Sequence, residues 1–303
     1  MRPFPPKGSH PDSPLFALGY AQPLTRRPAV RLPDGTELLE PVVAEETPVA
    51  LIYNGRAHAV MMTTPADLED FAVGFSLSEG IITAPHELQR VDVVRQARGI
   101  ELQCTIMPGA AERLASRQRT IVGRTGCGLC GVEALEEAVR DLPRLPAGLR
   151  LDAAALGRAE RALQSAQPLN EDAHTLHAAA YAHADGTLAI VREDVGRHNA
   201  LDKVIGALVR DPAVCGAAGG PAVRPGFLVL TSRASYELVQ KAAVAQVGLV
   251  AAVSRPTGLA IRLAEAMGIA LVGLLRDGTG LLYTDPHGVL GASALVADAT
   301  EAH

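Results

Sequence analysis

Cys127 and Cys130 stand in the run Gly126-Cys127-Gly128-Leu129-Cys130-Gly131, and of the chain's 4 cysteines they alone share a spacing that chemistry uses. Three chemistries compete for the pair. A structural zinc ion needs four ligands; His174 and His177 have ligand-like spacing, but no second cysteine pair accompanies them. A thioredoxin-like redox pair belongs between the first strand and first helix of a βαβ unit, which is not the context here. A sulfur carrier needs a thiolate that a donor can reach. Glycines around the thiols remove side-chain bulk and open unusual backbone angles, and Arg124 adds a positive charge nearby. A helix expected over 132–140 turns its N-terminal dipole toward the pair, which favours thiolate. The isolated Cys104 and Cys215 read as small buried hydrophobes.

A second concentration of chemistry is Arg192-Glu-Asp194-Val-Gly-Arg197-His198-Asn199-Ala-Leu-Asp202-Lys203, with 8 polar groups in 12 positions. With a helix starting near Arg197, Leu201, Val204, Ile205 and Leu208 form its buried face. His198 and Asp202 lie one turn apart on a neighbouring face, as do Asn199 and Lys203. A solvated helix start accounts for part of this density. The mixture of cation, amide, imidazole and carboxylate equally suits a nucleotide, whose base edge and phosphates need different partners.

Thr231-Ser232-Arg233-Ala-Ser235 and Ser254-Arg255-Pro-Thr257-Gly258 each fall where an apolar strand ends and a helix begins. In a parallel sheet such ends open on one edge, where ligands bind. Hydroxyls, helix-start amides and an arginine at both places make two candidate anion cradles, with Lys241 on the following helix. Arg276-Asp277-Gly278-Thr279-Gly280 reads on its own as a simple Asp-Gly turn. No Walker A loop, dinucleotide glycine fingerprint, Gly-x-Ser-x-Gly elbow or zinc-deaminase signature is present.

The elements that must carry these residues are legible from periodicity and turn chemistry. Val49–Tyr53, Asn54-Gly55 and a run to Met62 form a hairpin. Thr64 is the expected cap of a helix through Leu68, Phe71, Ala72 and Phe75 that stops at Gly80. Residues 88–107 form a hairpin around Arg98-Gly99, and 120–123 a short strand leading to the cysteines. Pro143, Pro146 and Gly148 mark a linker, after which Asp152 caps a helix running towards Gln167. Two strands flank Asp185-Gly186, a helix spans 197–209, and strands at 227–231, 249–253 and 269–275 alternate with helices from about 235 and 258. A short strand at 281–284 closes the series. Alternating βα units predict a parallel sheet covered on both faces. The expected fold class is α/β: a flexible Pro-rich tail over 1–30 with 7 prolines by residue 28, an α+β region over 31–150, and a larger α/β domain over 151–303.

The chain has 303 residues, 48% apolar, a formal net charge of −5, and only 3% aromatic residues with no Trp. At this length roughly three quarters of the unfolded surface can be buried. Mild acidity argues against a phosphate-backbone binder and scarce aromatics against base-stacking platforms, so no nucleic-acid partner is expected. No run of about 18 apolar residues spans a membrane, and Arg26-Arg27 is followed by Pro28 without an apolar segment. A reducing, cytoplasmic location is expected.

Taken together, the chain from about Glu45 to Thr284 resembles the formate dehydrogenase accessory sulfurtransferases, the FdhD family. The resemblance rests on Met62-Thr-Thr-Pro65 through Asp70, Gly74–Gly80, the cysteine loop, Arg192–Lys203, Ser232–Lys241 and Pro256–Ala260. It implies a cytidine-deaminase-like larger domain and a tendency to form homodimers. It further implies transfer of persulfide sulfur from a cysteine desulfurase to the bis-molybdopterin guanine dinucleotide cofactor of a formate dehydrogenase apoenzyme. Carried over by position, Cys127 holds the persulfide and Cys130 assists or relays. The family's cofactor stretch falls on Leu274, Leu275, Arg276, Asp277, Gly278 and Thr279, which reverses the plain-turn reading. With these, Arg192, Asp194, His198, Asn199, Lys203, Ser232, Arg233 and Thr257 are the expected cofactor-binding residues, and no tightly held metal is expected. The alternative is a non-catalytic chaperone that binds and inserts the same cofactor. The chain departs from the family in having Ala173-His-Thr-Leu176 where a Thr-Gly-Gly-like run is usual, Leu274 where Phe is common, and Gly288 where Arg is common. Few aromatics imply that guanine is held by hydrogen bonds and aliphatic contact.

Overall fold

The computed structural model describes residues 22–32, 37–122, 142–211 and 224–291. Cys127, Cys130, Cys215, the expected helix over 132–140 and most of the Pro-rich tail lie outside them. Within the expected tail, β1 (Leu24–Arg26) pairs with β4 (Val42–Ala44), and β2 (Ala29–Val30) pairs with β3 (Leu38–Leu39).

The first sheet has four strands, β5 (Thr47–Tyr53), β6 (Arg56–Thr63), β7 (Leu88–Gln96) and β8 (Gly99–Ile106), in the order β6-β5-β8-β7. Asn54 (φ 47°) and Gly55 (φ 78°) make the expected tight turn between β5 and β6, because both positions need the left-handed region. β5 alternates so that Val49, Leu51 and Tyr53 face inward, where Phe71 and Phe75 of α1 (Leu68–Ser78) cover them.

Two local expectations fail. The cap of α1 is Asp67 in the left-handed region, without a side-chain capping bond; Thr64 instead accepts from the Val195 N–H at 3.1 Å, so its hydroxyl serves a tertiary contact. Residues 120–122 are not a strand but the last turn of α2 (Pro108–Val122). Pro108 suits a first helical position, and the Ala-, Arg- and Leu-rich run behind it propagates the helix past the β-branched residues.

The second sheet has six strands in the order β10-β9-β11-β12-β13-β14. These are β9 (His177–His183), β10 (Leu188–Asp194), β11 (Gly226–Leu230), β12 (Leu249–Ala252), β13 (Ala270–Arg276) and β14 (Thr279–Thr284). The sheet is mixed rather than parallel: β11, β12 and β13 run parallel, while β9, β10 and β14 join antiparallel. The Asp185-Gly186 and Asp277-Gly278 hairpins impose the β9–β10 and β13–β14 reversals, since a tight turn can only join antiparallel strands, and β9 is in turn antiparallel to β11.

Alternate residues of these strands feed two apolar clusters. Ala178, Ala180, Ala182, Phe227, Val229, Ala251 and Val272 pack under α3 (Ala153–Ser165). Ala179, Tyr181, Leu228, Leu230, Val250 and Leu271 face α5 (Arg197–Arg210), α6 (Tyr236–Val244) and α7 (Gly258–Met267). A single turn, α4 (Asn170–Ala173), precedes β9. The second cluster continues through α5 and α1 to the four-stranded sheet, so the layers run α3, six-stranded sheet, helices, α1, four-stranded sheet.

The α1–α5 crossing is glycine-dependent. A Cβ on Gly74 would lie 1.7 Å from the Asp202 carbonyl oxygen, and one on Gly206 would lie 1.8 Å from that of Asp70. Among the described residues no helix is long and apolar enough to cross a membrane.

Candidate functional site

Three parallel strands place their C-terminal ends on one sheet edge, and the antiparallel neighbours bring two more segments there. Leu230 pairs with Ala179, so β9 begins where β11 ends, and Asp194 at the end of β10 lies opposite His177. The segments after β10, β11, β12 and β13 therefore gather along one line. Backbone bonds stitch them: the Thr257 N–H donates to Ala234 O at 3.1 Å and the Leu274 N–H to Ser254 O at 3.3 Å. Gly273 allows the last approach, since a Cβ there would meet Pro256 Cδ at 2.7 Å.

Asp194, Asn199 and Lys203 reach this edge but face inward. The Lys203 ammonium lies 2.7 Å from Asp194 Oδ2 and donates to Thr64 O at 3.0 Å and Glu193 O at 3.1 Å. Asp194 accepts from the Thr64 N–H at 3.0 Å, the Gly196 N–H at 2.8 Å and Asn199 Nδ2 at 3.0 Å. Asn199 Nδ2 also donates to Met62 O at 2.8 Å. All three side chains are buried. The network locks the segment after β6 to the turn that starts α5, and so positions the edge.

Arg192 is likewise engaged, donating from Nε and Nη2 to Asp70 Oδ2 at 2.9 and 2.7 Å, with Arg210 on the other oxygen of the same carboxylate. Beneath it, Lys241 donates to both Asp202 oxygens at 2.9 and 3.0 Å and lies 3.1 Å from Glu79. Burial opposes the ammonium's charge, but these two carboxylates outweigh it and hold Lys241 above the ordinary lysine range. The predicted face of Leu201, Val204, Ile205 and Leu208 is fully buried. Asp202 and Lys203 are buried as well, because α1 covers the side of α5 that the six-stranded sheet leaves open.

The strand-end residues divide by role. Ser232 is buried and donates to Arg233 O at 3.1 Å, while Arg233 is exposed. Thr257 caps α7 by accepting from the Ala260 N–H at 3.3 Å. Leu274 is half-buried with φ 53°, at a register shift between Gly273 and Arg276; Leu275 is buried. Arg276, Asp277, Gly278 and Thr279 are exposed, and Asp277 (φ 51°) with Gly278 (φ 79°) forms a left-handed two-residue hairpin turn. That tip leans on α3, where a Cβ on Gly157 would come within 2.6 Å of Gly278 Cα.

Two residues that are not among the expected cofactor-binding residues stand at this edge. Arg197, the first residue of α5, has a buried Nε without a hydrogen-bond partner among the described residues. His177 lies beside it; burial, then the charges of Arg197 and His198, hold its imidazole below the usual histidine range against the pull of Asp194. His198 is lowered by burial and by Arg197, although its Nε2 sits 2.9 Å from Glu237 Oε2. Burial would raise Glu237, but hydrogen bonds from His198 and from Ser235 (3.0 Å) bring it below the carboxylate norm. Strand register is the signal that finds the pair: matching Asp194 with His177 puts the imidazole next to the helix start.

Cys104 is buried in β8 with its thiol pushed up to about 12 by desolvation. It is an inert hydrophobe, as its isolation suggests.

Residues 44–290 match the model of the FdhD/NarQ family. A protein of Bordetella petrii named sulfur carrier protein FdhD is 47% identical over 247 residues, covering 80% of this chain and 85% of that protein. Its namesake in Cupriavidus necator is 47% identical over 277 residues, 89% of this chain and 92% of the relative, and that of Xanthomonas campestris pv. campestris 50% over 248 residues, 82% and 85%. A crystal structure from Desulfotalea psychrophila, described in its name as a putative formate dehydrogenase accessory protein, superposes with a TM-score of 0.64 at 25% identity, covering 87% of this chain and 96% of that one. With a family model spanning four fifths of its length and relatives at such identity, the chain belongs to the FdhD/NarQ family.

Proposed function

We propose that this chain is a sulfur carrier in formate dehydrogenase maturation. The observation that carries the reading is its 47–50% identity, over four fifths of its length or more, to proteins named sulfur carriers. Cys127 is the acceptor. Its thiolate attacks the terminal sulfur of a persulfide held by a cysteine desulfurase; the new S–S bond forms as the donor's S–S bond breaks, and the donor leaves as a thiolate. Cys130 then attacks the Cys127 sulfur, closing a Cys127–Cys130 disulfide and releasing the carried atom as hydrosulfide. The two thiols thus supply the two electrons that turn sulfane sulfur into sulfide.

The receiving substrate is the bis-molybdopterin guanine dinucleotide cofactor, bound before insertion into the formate dehydrogenase apoenzyme. The six-stranded edge supports this: a guanine dinucleotide arm offers a pyrophosphate and a base edge, and the edge offers Arg197, Arg233, two imidazoles and the start of α5. Asp194, Asn199 and Lys203 act by holding that edge in shape rather than by touching the substrate. A homodimer presenting two such edges accommodates both guanine arms.

Incubation with a cysteine desulfurase and cysteine, followed by alkylation and mass spectrometry, tests the carrier. A sulfane sulfur adduct of about +32 Da on Cys127 is expected, by simple addition of one sulfur atom to the thiol; an unmodified Cys127 under conditions that load a known acceptor overturns it.

A further inference from the structure

β6 is an outer strand of the four-stranded sheet, paired with β5 on one side and with no strand on the other among the described residues. Its backbone groups can be sorted by direction. Pro48, which has no N–H to give, stands opposite Met62, and the Met62 carbonyl accepts instead from Asn199 Nδ2 at 2.8 Å. Met62 therefore turns away from β5, and by the alternation of an antiparallel ladder so does Val60 two residues earlier. The Val60 N–H, the Val60 carbonyl and the Met62 N–H thus point out of the sheet, and no described residue meets them.

Edge strands are ordinarily guarded by lysine, proline, short length or an inward charge. From Ala57 to Met62 this strand has no charged residue, proline or glycine. Its one guard is a bulge at His58, where the register slips between Leu51 and Ile52. The side chains beside the edge are apolar too. Val60 is 65% and Met62 44% exposed on the outer face, next to half-buried Pro48, Ala50 and Ile52 of β5. The polar groups of that face, Glu101, Gln103 and Asp92, lie on β8 and β7, away from the edge.

We propose that β6 docks the formate dehydrogenase apoenzyme by strand addition. An extended segment of that protein, with apolar side chains at alternate positions, bonds to Val60 and Met62 and lays those side chains on the outer face. The inference rests on the maturation reading above and supplies the surface that meets the client. Position argues for the client. β6 runs directly into Thr64, which is bonded to Asp194 and Lys203 at the strand-end edge. A strand added at Met62 therefore holds its own protein beside the place from which the cofactor leaves. A second copy of this chain fits worse. Antiparallel pairing about a two-fold axis at Val60 would set Met62 against the bulge at His58. Pairing about Met61 would need the Met62 carbonyls, which Asn199 holds.

The test uses the full chain and purified, cofactor-free formate dehydrogenase. Val60→Pro deletes the outward N–H without removing a bond to β5, and an edge strand tolerates proline at such a position. Val60→Lys keeps the N–H and puts a charge on the apolar face. Both variants, checked for folding by circular dichroism, are expected to load sulfur on Cys127 as the parent chain does. Their affinity for the apoenzyme is expected to fall about tenfold, the value of one backbone hydrogen bond and its stranded partner. Hydrogen exchange resolved at single amides is expected to be fast at Val60 and Met62 in the chain alone and slow in the complex. Undiminished apoenzyme binding by both variants overturns the inference. So does slow exchange at these amides in the chain alone, which means that the edge is already covered; slowing that grows with chain concentration assigns the cover to a second copy. A parent chain that loads sulfur but does not bind the apoenzyme overturns the docking and leaves the carrier reading standing. A chain that binds the apoenzyme through this edge and never loads Cys127 overturns the carrier reading alone.

Discussion

The Lys203 ammonium lies 2.7 Å from the Asp194 carboxylate, and neither side chain is exposed to solvent. That pair turns two residues with ligand-like chemistry into a clamp. Removing one partner leaves the other charge buried and alone, which costs about 3–5 kcal/mol. Lys203→Met is therefore expected to lower the unfolding free energy measured in urea by that amount, and a D194N/K203M double variant to recover part of it. A K203M protein of near-normal stability that has lost guanosine nucleotide binding would show instead that Lys203 touches the ligand.

The glycine pair at the α1–α5 crossing makes a second, steric prediction. Gly206→Ala sets a Cβ 1.8 Å from the Asp70 carbonyl, and backbone cannot give way as a side-chain tip can. The helices must part, at a cost of about 3 kcal/mol. Because Asp70 also holds Arg192 and Arg210, the shift reaches the edge. Chemical denaturation of G206A decides it; a loss under about 1 kcal/mol means that the helices do not cross this closely.

His58 supplies a pH prediction away from the candidate site. Its ring meets Tyr53 at 5.6 Å and Phe75 at 6.4 Å between centroids, and its buried Nδ1 has no partner among the described residues. Burial lowers its protonation range against the weaker pull of Glu79. In the unfolded chain it titrates near the ordinary value of about 6.5. Below that pH the unfolded state takes up a proton that the folded state resists, so this residue's contribution to stability declines as pH falls. His58→Phe removes the effect and keeps the aromatic contacts. Denaturation at pH 7.5 and 5.5 is expected to favour the variant more at the lower pH; a stability difference independent of pH rules the explanation out.

Much of this architecture is legible in the order of the residues, and the exceptions have physical causes. Asn54-Gly55 and Asp277-Gly278 announce their hairpins because few residues tolerate two successive left-handed positions. The strand at 227–231 is legible because a continuous apolar run bounded by turn signals has few other uses. Periodicity also identifies the apolar face of α5. It cannot say that α1 covers the opposite side, which is why Asp202 and Lys203 read as surface chemistry when they are buried. The strand expected at 120–123 fails for a local reason: its β-branched residues outweigh their neighbours only if the helix that begins at Pro108 is overlooked. Arg197 and His177 are invisible as a pair along the chain, since only the β9–β10 register brings them together.

The roles assigned to the two cysteines separate under substitution. Cys127→Ala removes the acceptor, so neither sulfane sulfur on the chain nor activation of formate dehydrogenase is expected. Cys130→Ala keeps the acceptor but deprives the persulfide of its resolving thiol. It is expected to accumulate sulfur on Cys127 while activating the target poorly, unless an added thiol supplies the missing electrons. Dithiothreitol is thus expected to restore activation to C130A and not to C127A. Mass spectrometry of the trapped adduct and formate-dependent dye reduction by the matured target read the two halves independently. Should both variants bind guanosine nucleotide and activate the target fully, the chain works as an insertion chaperone, and the thiols play no part in the transfer.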